Sequence, residues 1–273
     1  LVCSVVTNIF LIWLILYRSS YEIGSYRHLL LAFALNDINF PVVHYLTLPV
    51  ICSYNDAFIM FSHGILTSRV SICLFACTFS QTMPLLAHLF VYRLITTKWP
   101  NLIKYYNAKT CTVLAAVTVA VESSLWFFNC YFNYGPDDET TEYVQPFLEK
   151  KFKGEGDGFI GALYFSIEGE FRIRAFLATM GFNSIMATCM TVIVFCSYHI
   201  VAQFKGEFKQ VPGNAHSQMI IPMVFVYFPC AGIINLPMLG FRLNVFPNLV
   251  SASLTFFPLI DAVVIMVGVR SYR

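Results

Sequence analysis

Charge is what this chain has least of. Only 12% of its 273 residues are Asp, Glu, Lys or Arg, about half the fraction a soluble domain carries. With 58% hydrophobic residues, it could hide its apolar surface from water only by aggregating, so a bilayer is its natural solvent. No basic stripe or basic-aromatic module offers a footprint for nucleic acid. No Met and no cationic n-region precede the apolar start Leu1-Val2-Cys3, so no signal peptide is visible, and both ends read as trimmed from a longer protein. GxSxG, HExxH, P-loop and GxGxxG patterns are missing; the nearest run, Gly154-Glu155-Gly156-Asp157-Gly158, sits in an acidic loop that would repel phosphate. No catalytic site and no cofactor is expected. Among the nine cysteines no paired CxxC or His spacing suggests a metal. Cys3, Cys52, Cys73 and Cys130 fall toward outer span ends, where pairing in an oxidising exterior and free buried thiols are both open readings.

Long apolar runs, by contrast, are abundant. Seven recur at Leu1–Tyr17, His28–Ile51, Val70–Tyr92, Thr110–Phe132, Ala175–Ile200, Met219–Phe241 and Pro247–Val269, each matched to roughly 30 Å of hydrocarbon. They are continuous runs, not the alternating segments of a barrel, so sheet is not expected. The fold class is therefore an all-α membrane protein, a seven-helix bundle in one domain over residues 1–273. The one long connector, Asn133–Arg174, holds GPDDETTEYV and EKKFKGEGDG and reads as a solvated loop. Its stretch FIGALYFSI is too short to span and is a candidate to dock back on the bundle.

Lys and Arg set the orientation. Connectors after spans one, three and five, with the C-terminal end, hold Arg18, Arg27, Arg93, Lys98, Lys104, Lys109, Lys205, Lys209, Arg270 and Arg273 against only Glu22 and Glu207. That face is expected in the cytosol, the N-terminus and the long loop outside.

Ionisable residues inside spans cost roughly 2.5–3.5 kcal/mol on insertion scales, so they are informative. Asn8, Asp37 and Asp261 each lie nine or ten residues from a basic residue at the inner edge, about 14–15 Å above it at 1.5 Å per residue. One depth on spans one, two and seven points to a shared polar network; self-satisfaction on nearby backbone is the alternative. Two carboxylates there cannot both stay ionised without a cation, so a proton, or a sodium ion between Asp37 and Asp261, is expected. Glu122, roughly 20 Å above the same side, reads as a buried acid hydrogen-bonded to Ser123 or Ser124, or else as a cavity residue. Pro41, Pro49, Pro84, Pro222, Pro229, Pro237 and Pro258 punctuate the spans, span six most heavily, and each frees a carbonyl and permits a kink.

Four segments in order carry a resemblance: NIFLIWLILYRSSYEIGSYR followed by LLLAFALNDI, then HLFVYRL, SQMIIPMVFVYFPCAGIINLP and FPLIDAVVIMVGVRSYR. Together they resemble the nematode seven-transmembrane chemoreceptors of the Str/Srj kind. The resemblance implies a receptor for an odorant or other small molecule, acting through a heterotrimeric G protein at the plasma membrane, on the cilia of chemosensory neurons. It places Tyr92-Arg93 at the coupling position ending span three, and Pro258-x-x-Asp261 at the switch position of span seven. No acid precedes Arg93, so the usual latch on the same helix is missing, and the long loop has no Cys to bridge span three. A ligand pocket between the outer halves of spans three, five, six and seven would draw on Cys77, Phe79, Phe176, Met180, Asn183, Asn235 and Thr255. The competing reading is a seven-span ligand-gated channel or transporter. No repeat relates the two halves, and seven-span channels of the insect odorant-receptor kind place the N-terminus inside, against the Lys/Arg count.

Overall fold

The computed structural model describes residues 1–17, 26–54, 57–105, 108–153, 158–206, 220–241 and 246–268. Arg18, Lys209, Arg270, Arg273 and the run 154–157 lie outside the described residues. The apolar runs form helices: α1 (Val2–Tyr17), α2 (Tyr26–Thr47), α3 (Arg69–Ser80) continuing as α4 (Thr82–Lys98), α5 (Ala108–Phe128), α7 (Ile173–Gly206), α8 (Phe228–Asn235) and α9 (Phe246–Gly268). Among the described residues, five stretches are long and apolar enough to cross a membrane: Tyr26–Thr47, Arg69–Lys98, Lys109–Asn133, Ile173–Gln203 and Ile220–Leu239. Val2–Tyr17 and Ala252–Val267 are shorter apolar helices. We number these seven stretches as spans one to seven in chain order.

Helix α1 shows why a bundle forms. Only Ser4, Asn8, Leu11 and Ile15 are buried, spaced three and four apart so that they share one face, while Val6, Ile9, Phe10 and Trp13 stay exposed where lipid would solvate them. Span three breaks at Gln81, between α3 and α4. Pro84 lacks the N–H that would bond the Ser80 carbonyl, and Ser80 Oγ donates to Cys77 O at 2.8 Å. Span four widens into a π turn at Asn129–Asn133, and span six carries another at Met223–Tyr227, between Pro222 and Pro229. Span six then tightens at Pro237–Leu239 and stops at Gly240, whose φ of 75° is easily reached only without a Cβ.

Two expectations from the sequence are corrected. Span two ends at Thr47, not Ile51, because Pro49 begins a strand, and a three-stranded antiparallel sheet follows. It comprises β1 (Pro49–Tyr54), β2 (Ala57–Ser62) and β3 (Ile160–Leu163) in the order β1-β2-β3. The long connector is not merely a solvated loop either: it supplies β3 and the helix α6 (Asp138–Phe152). FIGALYFSI does dock back, as β3.

All six residues of β2 are buried because both faces of the sheet are covered. Phe58 and Met60 join the bundle core, whereas Ile59 and Phe61 pack with Val144 and Leu148 of α6, as strand alternation requires. Each such side chain contributes about 1.5–3 kcal/mol of burial. Asp137 caps α6, accepting from Thr140 N at 2.9 Å, and ties it to the start of span five through Arg172 and Arg174, the latter at 3.3 Å. Burial raises the Asp137 carboxyl, but the Thr140 and Arg172 hydrogen bonds and the Arg172 charge outweigh it and hold the group below its ordinary value. Sheet and α6 form a cap at one end of the bundle; because successive spans alternate in direction, α1 begins at that end and Arg93 lies toward the other.

Candidate functional site

Under the cap lies an apolar cavity of about 70 Å³. Phe75, Ala76 and Phe79 reach it from span three, Trp126 and Cys130 from span four, and Phe182 from span five. Ile233 and Ile234 of span six and Val250 and Leu254 of α9 complete the walls, with Phe58, Met60 and Ile160 of the sheet as the roof. It exposes no polar surface. Of the seven pocket residues read from the sequence, only Phe79 lines it among the described residues.

The other six sit elsewhere. Asn183 and Asn235 are joined to each other, with Nδ2–Oδ1 distances of 2.7 and 2.9 Å in the two directions, a closed amide pair between spans five and six. Phe176 packs edge-on against Phe171, 5.4 Å between ring centres. Met180 and Thr255 are half-buried on spans five and seven. Cys77 lies beside the Ser123 hydroxyl.

Beside the cavity, three hydroxyls tie the cap to the bundle. Tyr134 and Tyr164 both meet Thr179 of span five, at 2.7 and 2.8 Å, and each other at 3.2 Å. Thr179 donates to Ala175 O at 2.9 Å, and Tyr164 donates to Ile234 O of span six at 3.2 Å. Tyr164, which follows β3, thus links the roof to span six through one side chain. The sequence does not mark these residues: inward and outward aromatics look alike in a chain with 27 Phe and 15 Tyr.

The polar layer lies where spans one, two and seven pack together. Asn8, Asp37 and Asp261 are buried. Asn8 Nδ2 donates to Ser4 O at 3.0 Å and to Pro258 O at 3.1 Å, the latter across to span seven. Ser4 Oγ donates to Asp37 O at 3.4 Å. Asp37 and Asp261 lie within electrostatic reach of each other, and Asp261 of Arg93. Asn8 Oδ1, Asp37 Oδ2 and Asp261 Oδ2 have no hydrogen-bond partner among the described residues.

At the end away from the cap, Arg93 does find a latch, on another helix. Its Nε donates to the Tyr26 hydroxyl at 3.0 Å, and a second guanidinium nitrogen donates to the same oxygen. Tyr26 in turn stacks on buried Tyr92, with ring centres 5.4 Å apart. Glu122 bonds neither Ser123 nor Ser124 among the described contacts. Its Oε2 accepts from Cys189 Sγ of span five at 3.9 Å, and Ser124 donates to Ala120 O. Cys3, Cys52, Cys73 and Cys130 are all free thiols, Cys3 exposed and the rest buried; burial pushes the Cys52 thiol, in the cap, up to about 12.

Comparison with known proteins agrees with this geometry. A family model described as "Serpentine type 7TM GPCR chemoreceptor Str" matches residues 1–273. Among curated relatives, "Serpentine receptor class r-10" of Caenorhabditis elegans is 23% identical over 97% of this chain and 84% of its own. "G-protein coupled receptor str-33" of the same species is 22% identical over 99% of this chain and 85% of its own. "Serpentine receptor class J-38" is 24% identical over 98% and 87%. The chain is thus a multi-pass membrane protein of seven spans, and it belongs to the Str family of serpentine-type 7TM GPCR chemoreceptors.

Proposed function

We propose that this receptor detects a small apolar molecule in the cavity under the cap and passes the change to a heterotrimeric G protein at the Arg93 end. The observation that carries the reading is the cavity itself: five spans and the sheet converge on it, and its lining is apolar, as small-molecule sites largely are. At about 70 Å³ it suits a ligand of a few heavy atoms; a larger one requires the sheet to move. Movement of the roof would pull on Ile234 through Tyr164, close to the Pro237 break.

In this reading the Arg93 end, with its flanking basic residues, faces the cytosol and the cap faces outside, at the plasma membrane and, as family membership suggests, on sensory cilia. Tyr92 and Arg93 are the coupling residues in this reading. Asp37 and Asp261 would be neutralised by a shared proton or by a sodium ion, held with Asn8 Oδ1; the three unpartnered oxygens are the support.

The test is a panel of small volatile apolar compounds on cells carrying a promiscuous G protein. Ala76→Leu, which fills the cavity, should lower potency at least tenfold at unchanged surface expression. An unchanged dose response would move the ligand elsewhere.

A further inference from the structure

A second cleft, of about 470 Å³, opens on the side of the bundle between spans three, four and five. Pro84 and His88 line it from span three, Thr118, Glu122 and Leu125 from span four, and Thr188 from span five. Its mouth faces sideways: Val121 is 55% and Leu125 56% exposed on a membrane helix, and Ser184 and Thr188 are exposed as well. A molecule enters here from the hydrocarbon, not from water.

Nearly every polar group in the cleft is already occupied. The two ring nitrogens of His88 meet Pro84 O at 2.9 Å and Thr118 Oγ1 at 3.2 Å. Ser184 and Thr188 each donate to a carbonyl of their own helix at 2.8 Å. Glu122 is the exception: it is only 8% exposed, Oε2 takes the Cys189 thiol, and Oε1 has no partner among the described residues.

We infer that this cleft is a second ligand site, which takes from the bilayer an apolar molecule bearing one hydroxyl group, the hydroxyl donating to Glu122 Oε1. The chemistry selects the class. The slot offers one unpaired carboxyl oxygen at the end of an apolar wall, and its complement is a hydroxyl on an apolar body, whose O–H can donate to that oxygen. A buried acceptor left unpaired carries a desolvation cost that a donor removes. An alcohol already dissolved in lipid brings that donor cheaply, whereas an ammonium ion must first shed its water. The volume lies in the range of small-molecule sites. Long-chain alcohols and sterols share this chemistry. The site is separate from the cavity under the cap and does not depend on the reading of that cavity.

The experiment uses the full chain in phosphatidylcholine nanodiscs. The probes are a long-chain alcohol and a sterol, each carrying a photoreactive group and an alkyne handle, with their O-methyl ethers as donor-free controls. At least one alcohol should label residues 118–125 or 184–192 about fivefold more than its ether, the worth of one hydrogen bond in a membrane. Which of the two does so identifies the source. The excess should vanish in Glu122→Leu, persist in Glu122→Gln, which keeps an acceptor, and vanish in Leu125→Trp, which blocks the mouth and leaves the acid in place. Equal labelling by alcohols and ethers in the unmodified receptor, or an excess that survives both Glu122→Leu and Leu125→Trp, overturns the site.

Discussion

Arg93 and Tyr26 are joined across spans three and two, Nε to hydroxyl at 3.0 Å. The bond stands where other seven-span receptors are expected to use an acid beside the arginine. It is made to a neutral acceptor, and its ring is stacked on Tyr92.

That bond predicts opposite effects for its two ends. Tyr26→Phe removes this bond from the guanidinium and should raise basal signalling about fivefold, the worth of roughly 1 kcal/mol. Arg93→Ala should abolish G-protein activation with surface expression intact. Basal and evoked signals normalised to surface protein check both; a silent Tyr26→Phe would reduce the bond to anchoring.

The acid pair predicts coupling. Asp37→Asn and Asp261→Asn should each shift basal activity, and their effects should be non-additive by at least about 0.5 kcal/mol, as expected for residues that interact. A double-mutant cycle on basal signalling decides it. Simple addition would mean that each acid is satisfied within its own helix.

The spans were legible because a run without charge has only one solvent that tolerates it. The depth of Asn8, Asp37 and Asp261 was legible because helices rise at a fixed rate, although depth says nothing of contact. The sheet was not legible. Pro49–Tyr54 and Ala57–Ser62 are apolar on both faces, so they lack the alternation that marks a strand and read as a helix tail. The helix α6 was missed although its Asp137 cap and acidic first turn are ordinary start signals, because the charge around it suggested solvent. Asn183 and Asn235 stood out as polar residues in apolar runs, but no single sequence shows that they bond each other. Tyr26, which holds Arg93, lay at the edge of a connector with nothing to mark it.

The cap predicts a pH dependence. The folded value of Asp137 is depressed, so its contribution is fully present above the unfolded value of about 3.9 and is lost as pH falls through the folded value. Amides of Asp138–Phe152 should therefore exchange faster below about pH 4, after correction for intrinsic rates. Asp137→Asn should show that faster exchange already at neutral pH and lose the acid transition. Protection that is flat from neutral to acid pH in the unmodified receptor would show that the bond to Arg172 does not hold the cap.

The basic residues predict the topology. An epitope inserted at Asp138 should be labelled on intact cells, and one at Gly213 only after permeabilisation. The reverse pattern would place the cap in the cytosol and defeat the proposed direction of signalling.

We propose that a ligand acts on this receptor through a G protein. The most direct measurement is the calcium or current response of cells expressing the chain with a promiscuous G protein, taken with and without a G-protein inhibitor. The claim predicts that the response disappears under the inhibitor. A ligand-evoked current of full size that survives inhibition would contradict it and make the chain a channel.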